Sequence, residues 1–162
     1  MPLADGYVLR RATLADVPAI VALLAADEIG ATRDGTDGGL QPYERAFEAI
    51  DDDPSQLLVV VVRAGVGAPP GADEVVATLQ LTFIPGMVRR GAWRAQVEAV
   101  RVAAEARGSG LGQELLGWAV AEARRRGCAL VQLTTDKRRT DAHRFYERLG
   151  FVASHEGYKL VL

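Results

Sequence analysis

The chain has 162 residues, of which 49% are hydrophobic and 25% charged, with a formal net charge of −2 at pH 7. That is enough for one domain with a sizeable core, and it lacks the basic excess of a non-specific nucleic-acid binder. A single cysteine, Cys128, excludes an internal disulfide framework, no apolar run reaches the length of a membrane span, and Met1–Asp5 has neither a basic region nor an apolar core of an export signal. The expectation is a cytoplasmic enzyme or binding protein with no nucleic-acid or membrane partner.

Tyr7–Arg11 reads as a first strand. Thr13-Leu14-Ala15-Asp16 is a helix start, with Thr13 as cap and Asp16 reaching back to it. Leu14, Val17, Val21 and Leu24 then repeat at helical spacing, although Pro18 sits deep enough in the first turn to remove a hydrogen bond. Residues 28–42 carry Gly30, Gly35, Gly38 and Gly39 without an apolar period, which predicts a long loop, functional or disordered. Tyr43–Ile50 is a short second helix ended by Asp51-Asp52-Asp53-Pro54, a solvated terminus.

Leu57–Val62 is continuously apolar and β-branched, hence a strand covered on both faces. Gly65–Asp73, with Pro69-Pro70-Gly71, predicts a hairpin-type loop. Glu74–Ile84 and Trp93–Val102 are the next strands, turned by Pro85-Gly86, and such short connections favour antiparallel pairing. Val97–Gln113 runs from strand to glycine-rich turn to helix. In that turn, glycines let the backbone approach a ligand closely and take positive φ. The free N–H groups of the first helical turn favour negative charge, and Arg107 adds a cation suited to phosphate.

Three phosphate-loop patterns compete there. A P-loop run is absent. A dinucleotide fingerprint fits Gly108 and Gly110 but meets Gln113 where its third glycine belongs. The pattern Arg/Gln-x-x-Gly-x-Gly/Ala is matched by Arg107, Gly110 and Gly112. Taken alone, a plain glycine-rich turn fits as well.

The following helix presents Leu111, Leu115, Leu116, Ala119, Val120 and Ala123 on one face. Arg124–Arg126 complement its C-terminus rather than forming a nucleic-acid patch, and Gly127 stops it. Cys128 precedes an apolar strand and reads as a buried, inert thiol. Ala129–Thr134 is reached through a helix and should lie parallel to the preceding strand. Thr140 caps a last helix with Ala142, Phe145, Tyr146 and Leu149 as its apolar stripe. Phe151–His155 and Tyr158–Leu162 read as a closing strand pair. The order is β-α-α-β-β-β-α-β-α-β-β.

The run from Ala142 to Phe151, AHRFYERLGF, matches A-x-x-F-Y-E-x-x-G-F at every fixed position. With the Arg107–Gly112 loop, in this element order, the chain resembles the GNAT superfamily of acetyl-CoA-dependent N-acetyltransferases. The resemblance spans Tyr7–Leu162 as a single domain over 1–162. It is specific over Val97–Gln113 and Thr134–Phe151, and vague before residue 57. It implies an α/β (α+β) fold with a mixed, mostly antiparallel central sheet of six to seven strands and about four flanking helices. The fourth and fifth strands of such folds splay after a bulge.

By resemblance, the activity is transfer of acetyl from acetyl-CoA to a primary amine in a ternary complex, with no metal. The two distant histidines make no metal site. Backbone groups of Val100 and Val102 would bond pantetheine. Amides of Arg107, Gly108, Ser109, Gly110, Leu111, Gly112 and Gln113 would hold the pyrophosphate, while Phe145 and Tyr146 flank the pantetheine arm. Glu98, two residues before Val100 and so on its face of the strand, takes the role of a base, directly or through water. Tyr146 supplies a proton to the departing thiolate.

The chain departs from the family at Arg139, where many members carry a pantetheine-holding asparagine, and at Asp136. Lys137, Arg138 and Arg139 read as solvated, with the CoA 3′-phosphate as the alternative. His155 lies in the final hairpin, bordering the acceptor site. Asp34, Asp37 and Asp51–Asp53 hint at a cationic acceptor, and a homodimer is expected through an exposed terminal strand. A non-catalytic acyl-CoA-binding sensor is the alternative to an enzyme.

Overall fold

A computed structural model describes residues 1–3, 6–63 and 73–162. Five strands form one sheet in sequence order: β1 (Tyr7–Arg11), β2 (Gln56–Arg63), β3 (Glu74–Ile84), β4 (Trp93–Val102) and β5 (Cys128–Leu133). The pairs β1/β2, β2/β3 and β3/β4 are antiparallel, and β5 joins β4 in parallel, as the connection lengths predict. The helices are α1 (Val17–Ala25), α2 (Glu28–Ala31), α3 (Gln41–Asp52), the short turn α4 (Val88–Gly91), α5 (Leu111–Arg125) and α6 (Thr140–Arg148). The loop expected over Gly65–Asp73 lies, apart from Asp73, outside the described residues.

The sheet carries a core on each face. One face packs Leu9, Val59, Val61, Leu79, Leu81, Ala95 and Val97 against Leu111, Leu115, Leu116, Ala119 and Ala123 of α5. The other packs Leu58, Val60 and Val62 against Val17, Ile20, Val21 and Phe47 of α1 and α3. β2 is therefore buried on both sides, which explains why its apolar residues run without alternation.

Entry into α1 is more economical than Pro18 suggests. A 3₁₀ turn, Leu14–Asp16, precedes the helix, so Pro18 falls in the first turn, where no N–H partner is needed. Asp16 accepts from the Thr13 N–H (2.7 Å) and hydroxyl (2.9 Å) and from both Nη atoms of Arg10 (2.7 and 2.8 Å). α2 then packs so closely on α1 that a Cβ at Gly30 would lie 2.0 Å from the Leu24 carbonyl oxygen. The segment expected as loop thus begins as a helical turn, capped by Asp27, which accepts from the Gly30 N–H at 2.6 Å.

Two expectations fail. Thr140 is the first helical residue of α6 rather than its cap, which is Arg139. The closing strand pair is absent, and the sheet has five strands instead of six or seven. A strand needs a ladder partner, and apolar composition does not supply one. Residues 152–162 join no ladder among the described residues, and Val152, Tyr158, Leu160, Val161 and Leu162 are exposed.

Asp16 is buried, and burial pushes its carboxyl pKa up. The hydrogen bonds from Arg10 and Thr13 outweigh this and hold it below the usual range. A depressed folded-state pKa contributes stability that is present above the unfolded pKa and is lost as pH falls through the folded one. Asp16→Ala should cost about 2–3 kcal/mol at pH 7, and the gap to wild type should close below about pH 3.5. Urea unfolding at both pH values measures this.

Candidate active site

The site begins where β4 stops being regular. On β3, Thr78 faces Arg101 and Gln80 faces Glu98, so Leu79 lies opposite two residues, Ala99 and Val100. This is a β-bulge. Ala99 takes φ 52°, a left-handed conformation that costs a non-glycine residue about 1 kcal/mol or more. Pairing of β4 with β5 ends at Val97 and Leu133, just before the bulge. β5 ends at Leu133, so beyond that point β4 runs on to Val102 with no ladder partner on that side among the described residues.

The bulge also changes which side chains share a face. Val100 and Val102 pack with the α5-side core. Glu98 and Arg101 lie opposite Gln80 and Thr78, on the face that carries Leu58 and Val60. The expectation that Glu98 and Val100 share a face is therefore overturned by the extra residue. Glu98 is exposed, and Arg101 is half-buried on the same side.

At the far end of β4 the chain passes through a 3₁₀ turn, Ala104–Ala106, into the glycine loop and α5. Gly108 and Gly110 have φ 81° and 86°, and a Cβ at either would meet nothing within 4 Å. The loop's side chains are committed inward: Arg107 Nε donates to the Val102 carbonyl (3.1 Å) and the Ser109 hydroxyl to the Ala106 carbonyl (2.8 Å). The N–H groups of Gly108, Ser109, Gly110 and Gly112 have no partner among the described residues. Four free N–H groups at the start of a 15-residue helix form a nest for an anion. The loop thus fits a pyrophosphate, with the Arg107 Nη atoms still available. A groove of about 550 Å³ starts at Gly110 and Gln113 and follows α5 to Leu149 and Phe151.

α6 brings the aromatic pair to the same place. A Cβ on Gly112 would touch the Phe145 ring at 3.4 Å and Val102 at 3.8 Å, so Phe145 covers the junction of β4 and α5. The Tyr146 ring lies 5.4 Å from Phe145 and 5.9 Å, edge-on, from Phe151. Burial pushes the Tyr146 phenol pKa up, and the fields of Arg101 and Arg139 pull against it. Its proton stays on throughout the neutral range.

Arg139 is not solvated. Its guanidinium forms a two-armed pair with Asp27 across the site, one arm from Nη2 at 2.8 Å and the other from Nη1. Burial pushes the Asp27 pKa up, but the bonds from Arg139 and the Gly30 N–H hold it below the usual range. Arg138 instead turns back on Asp136, whose carboxylate also accepts the Arg138 N–H. The acidic hints disperse: Asp51 pairs with Arg11, Asp53 accepts from the Ser55 N–H, and Asp34 pairs with Arg33. His155 is exposed and contacts Ser154. Cys128 is half-buried, and burial pushes its thiol pKa up. Among the described residues, no group of three His, Cys, Asp or Glu side chains converges as a metal would need, and no helix is long and apolar enough to cross a membrane.

A β4 edge that outruns β5, a bulge, and a loop of free N–H groups at a helix start together make a concave, anion-ready site on a mixed sheet. The Acetyltransferase (GNAT) family pattern matches residues 26–151, and the chain belongs to that family. It is 31% identical over 158 residues to the aminoalkylphosphonate N-acetyltransferase of Salmonella typhimurium, covering 96% of this chain and 89% of the relative. It is 43% identical to a solved transcriptional regulator from Bacillus halodurans, with a TM-score of 0.86 over 96% of this chain and 99% of that one. A Clostridium acetobutylicum chain solved with acetyl-CoA is 17% identical, with a TM-score of 0.71 over 96% of each chain, and it supports the fold alone. The protein is an acyltransferase of the N-acetyltransferase type.

Gly110→Val forces a β-branched residue into the left-handed region at the helix cap. Acetyl-CoA affinity, read by calorimetry, should fall about tenfold or more, for a strain of roughly 1–2 kcal/mol. Leu115→Ala, buried on the far side of the same helix, should lower stability by about 3 kcal/mol and leave that affinity little changed.

Proposed function

We propose that this chain, as one domain over 1–162, transfers acetyl from acetyl-CoA to the primary amine of a small molecule by direct attack in a ternary complex. The observation that carries the reading is a half-buried, protonated Tyr146 phenol in the field of Arg101 of β4, its neighbour Phe145 lying against Gly112 in the loop whose free N–H groups are those of Gly108, Ser109, Gly110 and Gly112. The pyrophosphate is held by amides of Arg107–Gly112, with Gln113 opening the helix. Pantetheine lies in the β4–β5 gap along Val100 and Val102, under Phe145.

An amine of ordinary pKa is neutral to only roughly one part in a thousand at pH 7, so a proton must be removed before attack. Glu98, exposed on the acceptor side of the bulge, accepts it, directly or through a water. The amine nitrogen then bonds the thioester carbon, the oxyanion being met by a backbone N–H of the bulged segment. The C–S bond breaks, the thiolate takes the Tyr146 proton, and the proton given up by the acetylated nitrogen returns the phenolate to phenol. Holding amine and thioester together contributes more than either proton transfer.

The Salmonella relative makes aminoalkylphosphonates the first acceptors to test. The same reading places the enzyme in the cytoplasm and pairs two copies through the exposed apolar stretch Tyr158–Leu162, a patch of the kind that seeks a partner. The Bacillus halodurans regulator favours a second reading, a non-catalytic acyl-CoA-binding sensor. The exposed Glu98 and protonated Tyr146, which a sensor does not need, favour the enzyme.

A free-thiol assay with acetyl-CoA and an amine panel separates them. Amine-dependent release should appear in wild type, fall about 10²-fold or more in kcat for Tyr146→Phe, and fall similarly in kcat/KM for Glu98→Gln. Because the Tyr146 pKa is raised above the ordinary value of about 10, no alkaline loss of rate from this acid should appear below about pH 9.5. Tight acetyl-CoA binding without turnover of any amine would establish the sensor instead.

A further inference from the structure

Around the acceptor side of the gap, the charged groups that act on Arg101 are Arg139, Asp27, Arg33 and Asp34. Four of these five form two ion pairs: Arg139 with Asp27, and Arg33 with Asp34 at 2.9 Å. The charge left over is that of Arg101. Its Nη1 donates to the Val100 carbonyl at 2.8 Å, and its Nε is buried with no hydrogen-bond partner among the described residues. Burial pushes its pKa down and the like charge of Arg139 adds to this, so in the free protein the cation is held at a cost. An arginine kept half-buried, uncompensated and one donor short is arranged for an anion that arrives with a ligand.

Position says which ligand. Arg101 is on the Glu98 side of the sheet, because the bulge at Ala99–Val100 brings residues three apart onto one face. Their partners on β3 are two residues apart, which sets Glu98 and Arg101 about 7 Å apart along the strand. The loop offered to the CoA pyrophosphate lies on the other side, past Val102. A molecule with its amine at Glu98 therefore presents whatever follows that amine, by a short alkyl link, to Arg101.

We propose that Arg101 is the specificity-determining residue of the acceptor site: it binds an anionic group, phosphonate or carboxylate, carried a short link from the acceptor amine. Arg139, fixed by Asp27, adds its field, and Nη2 of Arg101 has no partner among the described residues. This reverses the hint of a cationic acceptor in the acidic residues of the sequence, of which Asp34, Asp51 and Asp53 are engaged elsewhere. The assignment rests on the transferase reading for its acceptor, but the anion site is testable without turnover.

The test uses the full chain with 2-aminoethylphosphonate, β-alanine, propylamine and 1,3-diaminopropane as matched acceptors. Wild type should prefer the anionic amines over propylamine by about 10- to 100-fold in kcat/KM, the range of a charge-assisted forked hydrogen bond. Arg101→Met should remove that preference through acceptor KM, and Arg101→Lys should restore part of it. With CoA saturating, calorimetry should show 2-aminoethylphosphonate binding to wild type and weakening by a similar factor in Arg101→Met. The free Arg101→Met protein should melt no lower than wild type, because an uncompensated cation has been removed. The ratio of 2-aminoethylphosphonate to β-alanine decides between phosphonate and carboxylate.

Equal use of propylamine or diaminopropane would overturn the assignment while leaving the transferase standing. A melting point that drops in Arg101→Met with the preference intact would show a structural arginine. A rise confined to acetyl-CoA Kd would show that Arg101 serves a CoA phosphate. Phosphonate binding through Arg101 without acetylation of any amine would uphold the anion site and remove the transferase reading.

Discussion

The constraint on which this site depends is one extra residue in β4. With Leu79 opposite both Ala99 and Val100, the strand cannot keep its alternation. A left-handed alanine in mid-strand is unfavourable for its own sake, and it persists because Val97 before it and Val102 after it are anchored in the core. Three consequences follow from that one insertion. β4 runs on past the end of β5 with that edge unpaired among the described residues. The two valines keep to the α5 face. Glu98 and Arg101 come to share the opposite face, where the acceptor enters on the proposed reading. Without the bulge, regular alternation from Glu98 through the same residues would turn Arg101 toward the α5 face.

The electrostatics on the acceptor side are built from pairs and one remainder. Asp27 caps α2 through the Gly30 N–H and holds Arg139 at the start of α6, so the two elements flanking the gap are joined by one carboxylate. Such a two-armed pair, partly shielded, resists screening better than the exposed Arg138–Asp136 contact beside it. The field Arg139 contributes is then a fixed part of the site rather than a mobile surface charge. The Arg33–Asp34 pair is more exposed on its arginine side and should matter less.

Much of this was legible in the sequence, and what was not has a common physical origin. β3 and β4 were bounded at Glu74–Ile84 and Trp93–Val102, because apolar alternation and turn residues are local signals. The glycine loop and the Phe145-Tyr146 pair were legible because their chemistry depends on residue type at fixed spacing. The closing strands fail because pairing is non-local: Phe151–His155 and Tyr158–Leu162 have the composition of strands and no ladder partner among the described residues. Arg101 was passed over for a related reason. Counting by twos along β4 hides a bulge, and only the register against Thr78 and Gln80 reveals its face. A signal was there to be used: a lone arginine between Val100 and Val102 in a half-buried strand needs a reason. Arg139 was read as a missing asparagine, when its meaning lay in a carboxylate 112 residues earlier.

Tyr146 and Arg101 make physical sense together. Burial alone would hold the phenol proton so firmly that a departing thiolate could not take it easily. Cations alone would loosen it. The half-buried ring packs between Phe145 and Phe151 while Arg101 and Arg139 act on its oxygen from β4 and from the residue before α6. The opposing terms leave a protonated acid whose conjugate base is not prohibitively costly. The same cations would favour negative charge on the thiolate and on the thioester oxygen as it develops, without moving during the reaction. An acceptor that arrives with its own anion would neutralise part of that field. It would return the phenol toward its buried, proton-holding state only when the amine is in place. On the proposed reading, binding of the correct acceptor therefore adjusts the acid as well as delivering the nucleophile, and an amine without an anionic tail would meet a site whose charges are out of balance.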